Sequence, residues 1–175
     1  MQDGIAFITS LATFTPVPWE HLPDLGLYMD QVITYIQRQC RPLYTAQDNL
    51  ITPAMINNYV KCGVVTRPVG KKYDRVQLAQ LMMLCTLKQA ASLEEMKKLL
   101  TPPEGMNVQQ LYAAFCDMQA NVFKTLAQKM SGASAMQCAI EAAAYRILNG
   151  ERLAAQSSAL INKEGYKDTP VPGKE

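Results

Sequence analysis

The residues best suited to bind a ligand lie between positions 53 and 75, where basic and amide side chains are interspersed with apolar ones. Five basic residues occur there against one acid, Asp74, so the local charge is +4 in a chain whose net charge is +2. Cationic side chains bind phosphate, and an asparagine amide offers adenine one donor and one acceptor. The residues that we expect to contact DNA are Asn57, Asn58, Lys61, Arg67, Lys71, Lys72, Tyr73 and Arg75.

Each of these side chains also has a purely structural interpretation. The two asparagines and Lys61 fit a solvated helix face as well as they fit a DNA contact. Arg67, Lys71 and Lys72 likewise fit a solvated turn. The ring of Tyr73 is more typical of a core residue than of a base-stacking one. The sequence leaves both interpretations open.

The sequence offers no pattern that suits catalysis or metal binding. His21 is the single histidine, so no histidine-centred acid–base pair can form, and Glu94 and Glu95 suit the start of a helix. The cysteines lie more than twenty residues apart without a Cys-x-x-Cys motif, at Cys40, Cys62, Cys85, Cys116 and Cys138. We therefore expect a non-enzymatic protein with no catalytic residue, no metal site and no cofactor.

Composition and hydropathy predict a protein of the cytoplasm. Hydrophobic residues make up 49% and charged residues 18% of the 175 residues, which favours a globular fold. The apolar stretch 5–14 lacks a preceding basic flank, so it does not resemble a signal peptide. No apolar run reaches the roughly 20 residues that span a bilayer. The dispersed cysteines fit a reducing compartment.

Helix signals surround the basic segment. Helix starts are predicted at Asp24, at Thr52 before Pro53, at Asp74 with Gln77, and at Ser92 with Glu95. Pro42 ends the first helix and Gly63 stops the second. Residues 64–73 predict a small β-hairpin. The prediction is thus two helices, a basic hairpin, and two more helices.

The C-terminal half predicts two longer helices. Asn107 caps the first, Gly132 breaks it, and a second helix from Ser134 to Leu148 is interrupted by Gly150. The predicted buried face of the first comprises Val108, Leu111, Tyr112, Phe115, Met118, Val122, Leu126 and Met130. The predicted domain organisation is an arm over 1–22 pinned by Trp19, a DNA-binding domain over 23–101, a helical subdomain over 102–162 and a loose tail over 163–175.

A short helix beside a basic hairpin has the arrangement of a winged helix-turn-helix. A recognition helix needs a buried face that fixes it, so that its other face reaches base edges in the major groove. Ile56, Tyr59 and Val60 can supply the buried face and leave the asparagines and Lys61 outward. The hairpin then brings its cations to the DNA backbone or the minor groove.

The runs Thr52–Tyr59, Gly63–Val65, Lys72–Asp74 and Ser92–Leu100 resemble the DNA-binding half of MerR-type regulators. The resemblance implies a mainly α fold: a MerR-like winged helix-turn-helix with a small β-hairpin wing, followed by a C-terminal helical subdomain. Four features depart from that family. Asn57 stands where an arginine is usual, Val60 stands where an acid is usual, the wing is short, and the C-terminal half lacks a long coiled coil with charged flanks.

A longer resemblance includes the preceding helix. Leu22–Leu25, Tyr28–Val32, Met55–Tyr59 and Gly70–Tyr73 together are similar to a bacterial family catalogued as domain of unknown function 1836. This likeness spans roughly Trp19 to Thr101, and several separated motifs agree in order. It implies the same MerR-like fold.

Three functions remain open from the sequence. The first is a transcriptional regulator that binds double-stranded DNA and forms a homodimer through the helices of residues 107–148. The second is a non-enzymatic protein-interaction module that keeps the fold without DNA binding. The third is a small-molecule sensor with a pocket lined by Tyr112, Phe115 and Tyr145. The sequence specifies neither the operator nor the effector.

Overall fold

The computed structural model describes residues 9–44, 50–129 and 132–164, with side chains described to residue 155. Its principal helices are α1 Met29–Cys40, α2 Pro53–Lys61, α3 Arg75–Leu87, α4 Leu93–Leu100, α5 Val108–Lys129 and α6 Ala135–Glu164. Short 3₁₀ turns occur at Trp19–His21 and Arg41–Leu43. The prediction of a mainly α protein is confirmed.

The chain divides into two compact units. The first ends at Ala133 and contains α1 to α5, and the second begins at Ser134 and contains α6. The first unit therefore continues past the boundary predicted after residue 101. None of the helices in the described ranges has the length and apolarity needed to cross a membrane.

Helix α3 is the centre of the first unit. Every residue from Gln77 to Cys85 is buried, and α1, α4 and α5 all pack against this helix. A helix that is apolar on nearly all sides must be enclosed by other elements. The buried side chains of α2, including Ile56, join the same core.

Side chains close to each helix start set where the helices begin. The Thr52 hydroxyl accepts a hydrogen bond from the backbone of Met55 at 3.2 Å, and Ser92 and Glu95 form the expected capping box. Asp74 and Asn107 cap α3 and α5 in the same way. These four predicted starts are confirmed.

The predicted start at Asp24 is wrong. Helix α1 begins at Met29, and the Gln31 side chain accepts a hydrogen bond from the Tyr28 backbone at 2.9 Å. Leu27 exchanges two backbone hydrogen bonds with Tyr73, of 2.8 and 2.9 Å. This pairing holds the chain extended as far as residue 28, so a helix cannot form earlier.

Isolated bridges replace the predicted strands in the described residues. Val64 and Val65 donate their backbone N–H groups to the Tyr59 carbonyl, so both residues close the end of α2 instead of starting a strand. Beyond them, Val69 bridges Lys72 and Tyr73 bridges Leu27. The segment 64–73 is thus a tight turn attached to residue 27, not a two-stranded hairpin.

Two of the predictions for the C-terminal helices are wrong. Met118 and Val122 are exposed, because the buried side of α5 runs through Tyr112 and Gln119. Helix α6 continues through Gly150, where a break was predicted; a glycine inside a helix costs only about 1 kcal/mol relative to alanine. The predicted loop at 44–50 and the predicted tail lie largely outside the described residues.

The N-terminal arm packs onto α5 through an aromatic contact. The Trp19 ring lies 6.4 Å from the ring of Tyr112, which is fully buried. The Tyr112 hydroxyl donates a hydrogen bond of 2.7 Å to the Val17 carbonyl. Burial raises the pKa of this hydroxyl, which therefore stays neutral and keeps its donor. Tyr112 thus fills the core, and Tyr145, its predicted pocket partner, lies on α6 in the other unit.

Candidate nucleic-acid interface

Helix α2 has one buried face and one polar face. Thr52 caps it, and Pro53 occupies the first position, where a missing N–H costs nothing. Ile56 and Tyr59 are buried, three residues apart on the same side. The opposite side exposes Asn57, Asn58 and Lys61, as the sequence predicts.

The end of α2 carries two further polar groups. The Cys62 thiol donates to the side-chain oxygen of Asn58 at 3.7 Å, one turn away. Lys97 of α4 approaches Gly63, since a methyl group on that glycine would lie 3.7 Å from the Lys97 ammonium nitrogen. A cation is favourable near the carbonyl end of a helix, and Lys97 adds its charge to that of Lys61 there.

A buried amide network anchors the segment that follows α2. Gln80 of α3 accepts hydrogen bonds from the Thr66 backbone at 2.9 Å and from the Thr66 hydroxyl at 3.0 Å. The Gln77 amide donates to the same hydroxyl at 3.2 Å. Both glutamines are buried, where such partners are needed. Thr66 is therefore fixed to the central helix, and its neighbour Arg67 is exposed.

The basic turn has a defined backbone geometry. Lys72 donates its N–H to the Val69 carbonyl at 3.0 Å, and the two central residues, Gly70 and Lys71, have φ of 57° and 64°. Two successive positive φ values define a type I′ turn, the tight connection that suits twisted chains. Lys71 lies at the exposed tip of this turn.

Lys72 is positioned by contacts with the segment before α1. Its ammonium nitrogen lies 5.3 Å from the centre of the Tyr28 ring, within the range of a cation–π contact. Its side chain crosses Gly26 so closely that a methyl group there would lie 2.9 Å from the Lys72 Cβ. Lys72 is nevertheless exposed, and its charge remains accessible.

Two of the predicted contact residues have structural roles. Tyr73 is only 4% exposed, and burial raises the pKa of its hydroxyl; it packs in the core, so its ring cannot stack on a base. Arg75 is half-buried, donates from Nε to the Leu22 carbonyl at 3.2 Å and lies 5.9 Å from the Trp19 ring. Arg75 thus ties the N-terminal arm to the start of α3.

The structure adds two arginines that the sequence analysis did not single out. Arg38 in the last turn of α1 and Arg41 directly after that helix are exposed, and both line a surface depression of about 590 Å³ together with Thr52, the cap of α2. Their spacing of three residues on one helical turn is the signal that could have identified them. Exposed cations therefore lie near both ends of α2.

A family model described as Domain of unknown function (DUF1836) matches residues 17–115, more than half of the chain. The chain belongs to this family. No curated protein and no solved structure matches it. The region shared with DUF1836 contains every candidate residue discussed above and ends within α5, so α6 lies outside it.

The Thr66–Gln80 network generates a stability prediction. Gln80→Met keeps the side-chain volume but removes the acceptor of two hydrogen bonds, so we expect the free energy of unfolding to fall by about 1–2 kcal/mol. Urea denaturation followed by circular dichroism measures this change. Gln128→Met, at an exposed position of α5, is the matched control and should change stability by less than about 0.5 kcal/mol. Equal effects of the two variants would contradict the network's role.

The type I′ turn generates a second prediction. No heavy atom lies within 4 Å of a Cβ placed on Gly70, so Gly70→Ala meets only the backbone cost of a positive φ, about 1 kcal/mol. Gly70→Asn should recover much of that loss, because asparagine tolerates this conformation best among residues with a Cβ. Thermal and urea unfolding of the two variants measure the difference. Equal stability of the alanine and asparagine variants would show that residue 70 does not adopt the left-handed conformation.

Proposed function

We propose that this DUF1836 protein is a DNA-binding transcriptional regulator with a MerR-like winged helix-turn-helix. In this proposal α2 is the recognition helix and the turn Val69–Lys72 is a short wing. The observation that carries it is the division of α2 into a buried apolar face and an exposed face of Asn57, Asn58 and Lys61. A surface of this kind is what a groove-reading helix requires.

The dimensions of α2 suit the major groove. A helix of nine residues is about 13 Å long and 10–12 Å wide, which matches a groove about 12 Å across. An asparagine amide in that groove can bind the N6 and N7 atoms of adenine together. Two adjacent asparagines thus supply the base-reading chemistry, and the buried Ile56 holds the helix that presents them.

The cations around α2 supply the sequence-independent part of the affinity. Arg67, Lys71 and Lys72 follow α2 in the chain, and Arg38 and Arg41 lie near the start of that helix. Each phosphate contact releases counterions, so binding must weaken as salt is raised. The Tyr28 contact limits the freedom of Lys72 and lowers the entropy lost when it binds phosphate.

The remaining properties follow from this assignment. We place the regulator in the cytoplasm, where DNA is accessible and thiols stay reduced; the cysteines of the described chain are all free. We assign it no enzymatic activity and no cofactor. Its specificity would come from the α2 amides, and the effector it responds to is left open.

Charge reversal at the turn tests the wing. Lys71→Glu with Lys72→Glu should weaken binding to random-sequence duplex at least tenfold near 0.1 M salt, and should lower the slope of log affinity against log salt by about 2. Fluorescence anisotropy across a salt series measures both quantities.

The matched control is Lys124→Glu with Lys129→Glu, the same charge change at exposed positions of α5. It should keep the salt slope of the wild-type chain. Affinity absent from the wild-type chain at 20 mM salt, or lost equally in both double variants, would count against the proposal.

The alkylation rate of the Cys62 thiol reports whether DNA covers the end of α2. This half-exposed thiol beside Asn58 should become at least fivefold slower to alkylate with iodoacetamide when duplex is bound, because DNA would cover that end of the helix. The exposed Cys138 should keep its rate and serves as the internal control. Mass spectrometry of the peptides measures both. An alkylation rate of Cys62 that is unchanged at saturating duplex would exclude α2 as the recognition helix.

One observation favours the second candidate, a protein-interaction module. Large apolar side chains are exposed in the two segments that meet at Lys72: Leu25, Tyr28 and Val69 are 76%, 55% and 82% exposed. An exposed apolar group with a basic centre suits a protein partner with an acidic rim. The anisotropy titration separates the two candidates. A salt-dependent affinity for duplex supports the regulator, and a chain that binds a protein partner but has no affinity for duplex supports the module.

A further inference from the structure

The C-terminal half lacks a long coiled coil with charged flanks, but α6 carries an apolar stripe with the spacing of a shorter coiled-coil seam. Met136, Ile140, Ala143, Ile147, Gly150 and Ala154 follow one another at alternating steps of four and three residues. The three large members, Met136, Ile140 and Ile147, are 71%, 62% and 68% exposed. The steps repeat over nearly three heptads of a helix about 45 Å long.

A stripe of this period specifies a partner with the same period. An average step of 3.5 residues keeps apolar side chains aligned along a second helix only when both supercoil around each other. Ile140, Ile147 and Ala154 then occupy a positions, and Met136, Ala143 and Gly150 occupy d positions. β-Branched residues at a favour two strands, and the small residues at d let the two backbones approach closely.

We propose that α6 pairs with α6 of a second copy of this chain as a parallel two-stranded coiled coil. The pairing is independent of the proposed DNA binding. The helix that forms the pair lies outside residues 17–115, the region that matches the DUF1836 family.

The flanking charges select the parallel direction. Arg146 occupies a g position and Glu151 the following e position. In a parallel pair these positions face each other across the seam, so Arg146 of each copy meets Glu151 of the other, twice by symmetry. In the antiparallel register that keeps all six core layers, Arg146 instead faces Arg146 of the second copy. Like charges in that position oppose the antiparallel arrangement.

The first experiment measures the mass of the full chain by sedimentation equilibrium. The 19.4 kDa chain should sediment as a dimer at micromolar concentration. Ile140→Glu with Ile147→Glu should weaken the dimer more than 100-fold and leave a monomer. Cys138→Glu with Tyr145→Glu is the matched control, seven residues apart on the opposite side of α6, and should remain dimeric. A wild-type chain that is monomeric at 100 µM, or a dimer unaffected by the seam substitutions, overturns the proposal.

The second experiment tests direction. Arg146→Glu and Glu151→Arg should each weaken the dimer about tenfold, and the double variant should restore it, because only the parallel pair exchanges these charges. Under oxidising glutathione, Ala143→Cys should form a disulfide-linked dimer, since equivalent d positions meet in parallel helices. Cys138, at an outward f position, should not. This crosslink keeps the proposal falsifiable if the seam variant fails to fold; no crosslink, or no rescue in the charge swap, overturns the parallel direction.

Discussion

Burial of α3 is the constraint on which the rest of the first unit depends. Nine consecutive residues of this helix, Gln77 to Cys85, are enclosed, and two of them are glutamines. Apolar burial alone would leave the positions of the surrounding loops undefined, because it has no direction. The glutamine amides are directional, and each needs partners in the core. Gln80 finds its partner in Thr66, so the core helix also holds the segment that leads to the basic turn.

The same helix fixes the approach to α2 from the other side. The Tyr44 hydroxyl donates to the carbonyl of Cys85, and the Lys88 ammonium donates to the carbonyl of Leu50. Lys88 also lies 5.1 Å from the centre of the Tyr44 ring. Burial raises the pKa of the Tyr44 hydroxyl, so it stays a donor. The chain on both sides of residues 45–49 is thereby tied to α3, close to the cap of α2.

Cationic side chains in this protein divide between structure and surface. Arg75 is held by Trp19 and Leu22, and Lys88 by Tyr44 and Leu50, so their charges stabilise contacts within the first unit. Lys61, Arg67 and Lys71 are exposed, and the contacts described for these residues include none that holds their charges against the first unit. Lys72 is intermediate, exposed but resting on Tyr28. The local charge of +4 therefore overstates the exposed positive charge of residues 53–75, and the exposed Arg38 and Arg41 lie outside that segment.

The sequence by itself determined where four helices begin and which residues face outward on α2. Those features rest on hydrogen bonds between residues at most three apart, such as Thr52 to Met55, and on the helical period. It also allowed the membership of DUF1836 to be predicted from short runs in order. Local rules of this kind operate without knowledge of the fold.

Only the tertiary structure decided the remainder. Leu27 pairs with Tyr73, a contact 46 residues apart that delays α1, buries Tyr73 and replaces the predicted hairpin. Met118 and Val122 have the period of a buried face, yet the rotation of α5 against α3 leaves both exposed. Contacts between distant residues depend on how elements pack, and no window of neighbouring residues contains that information.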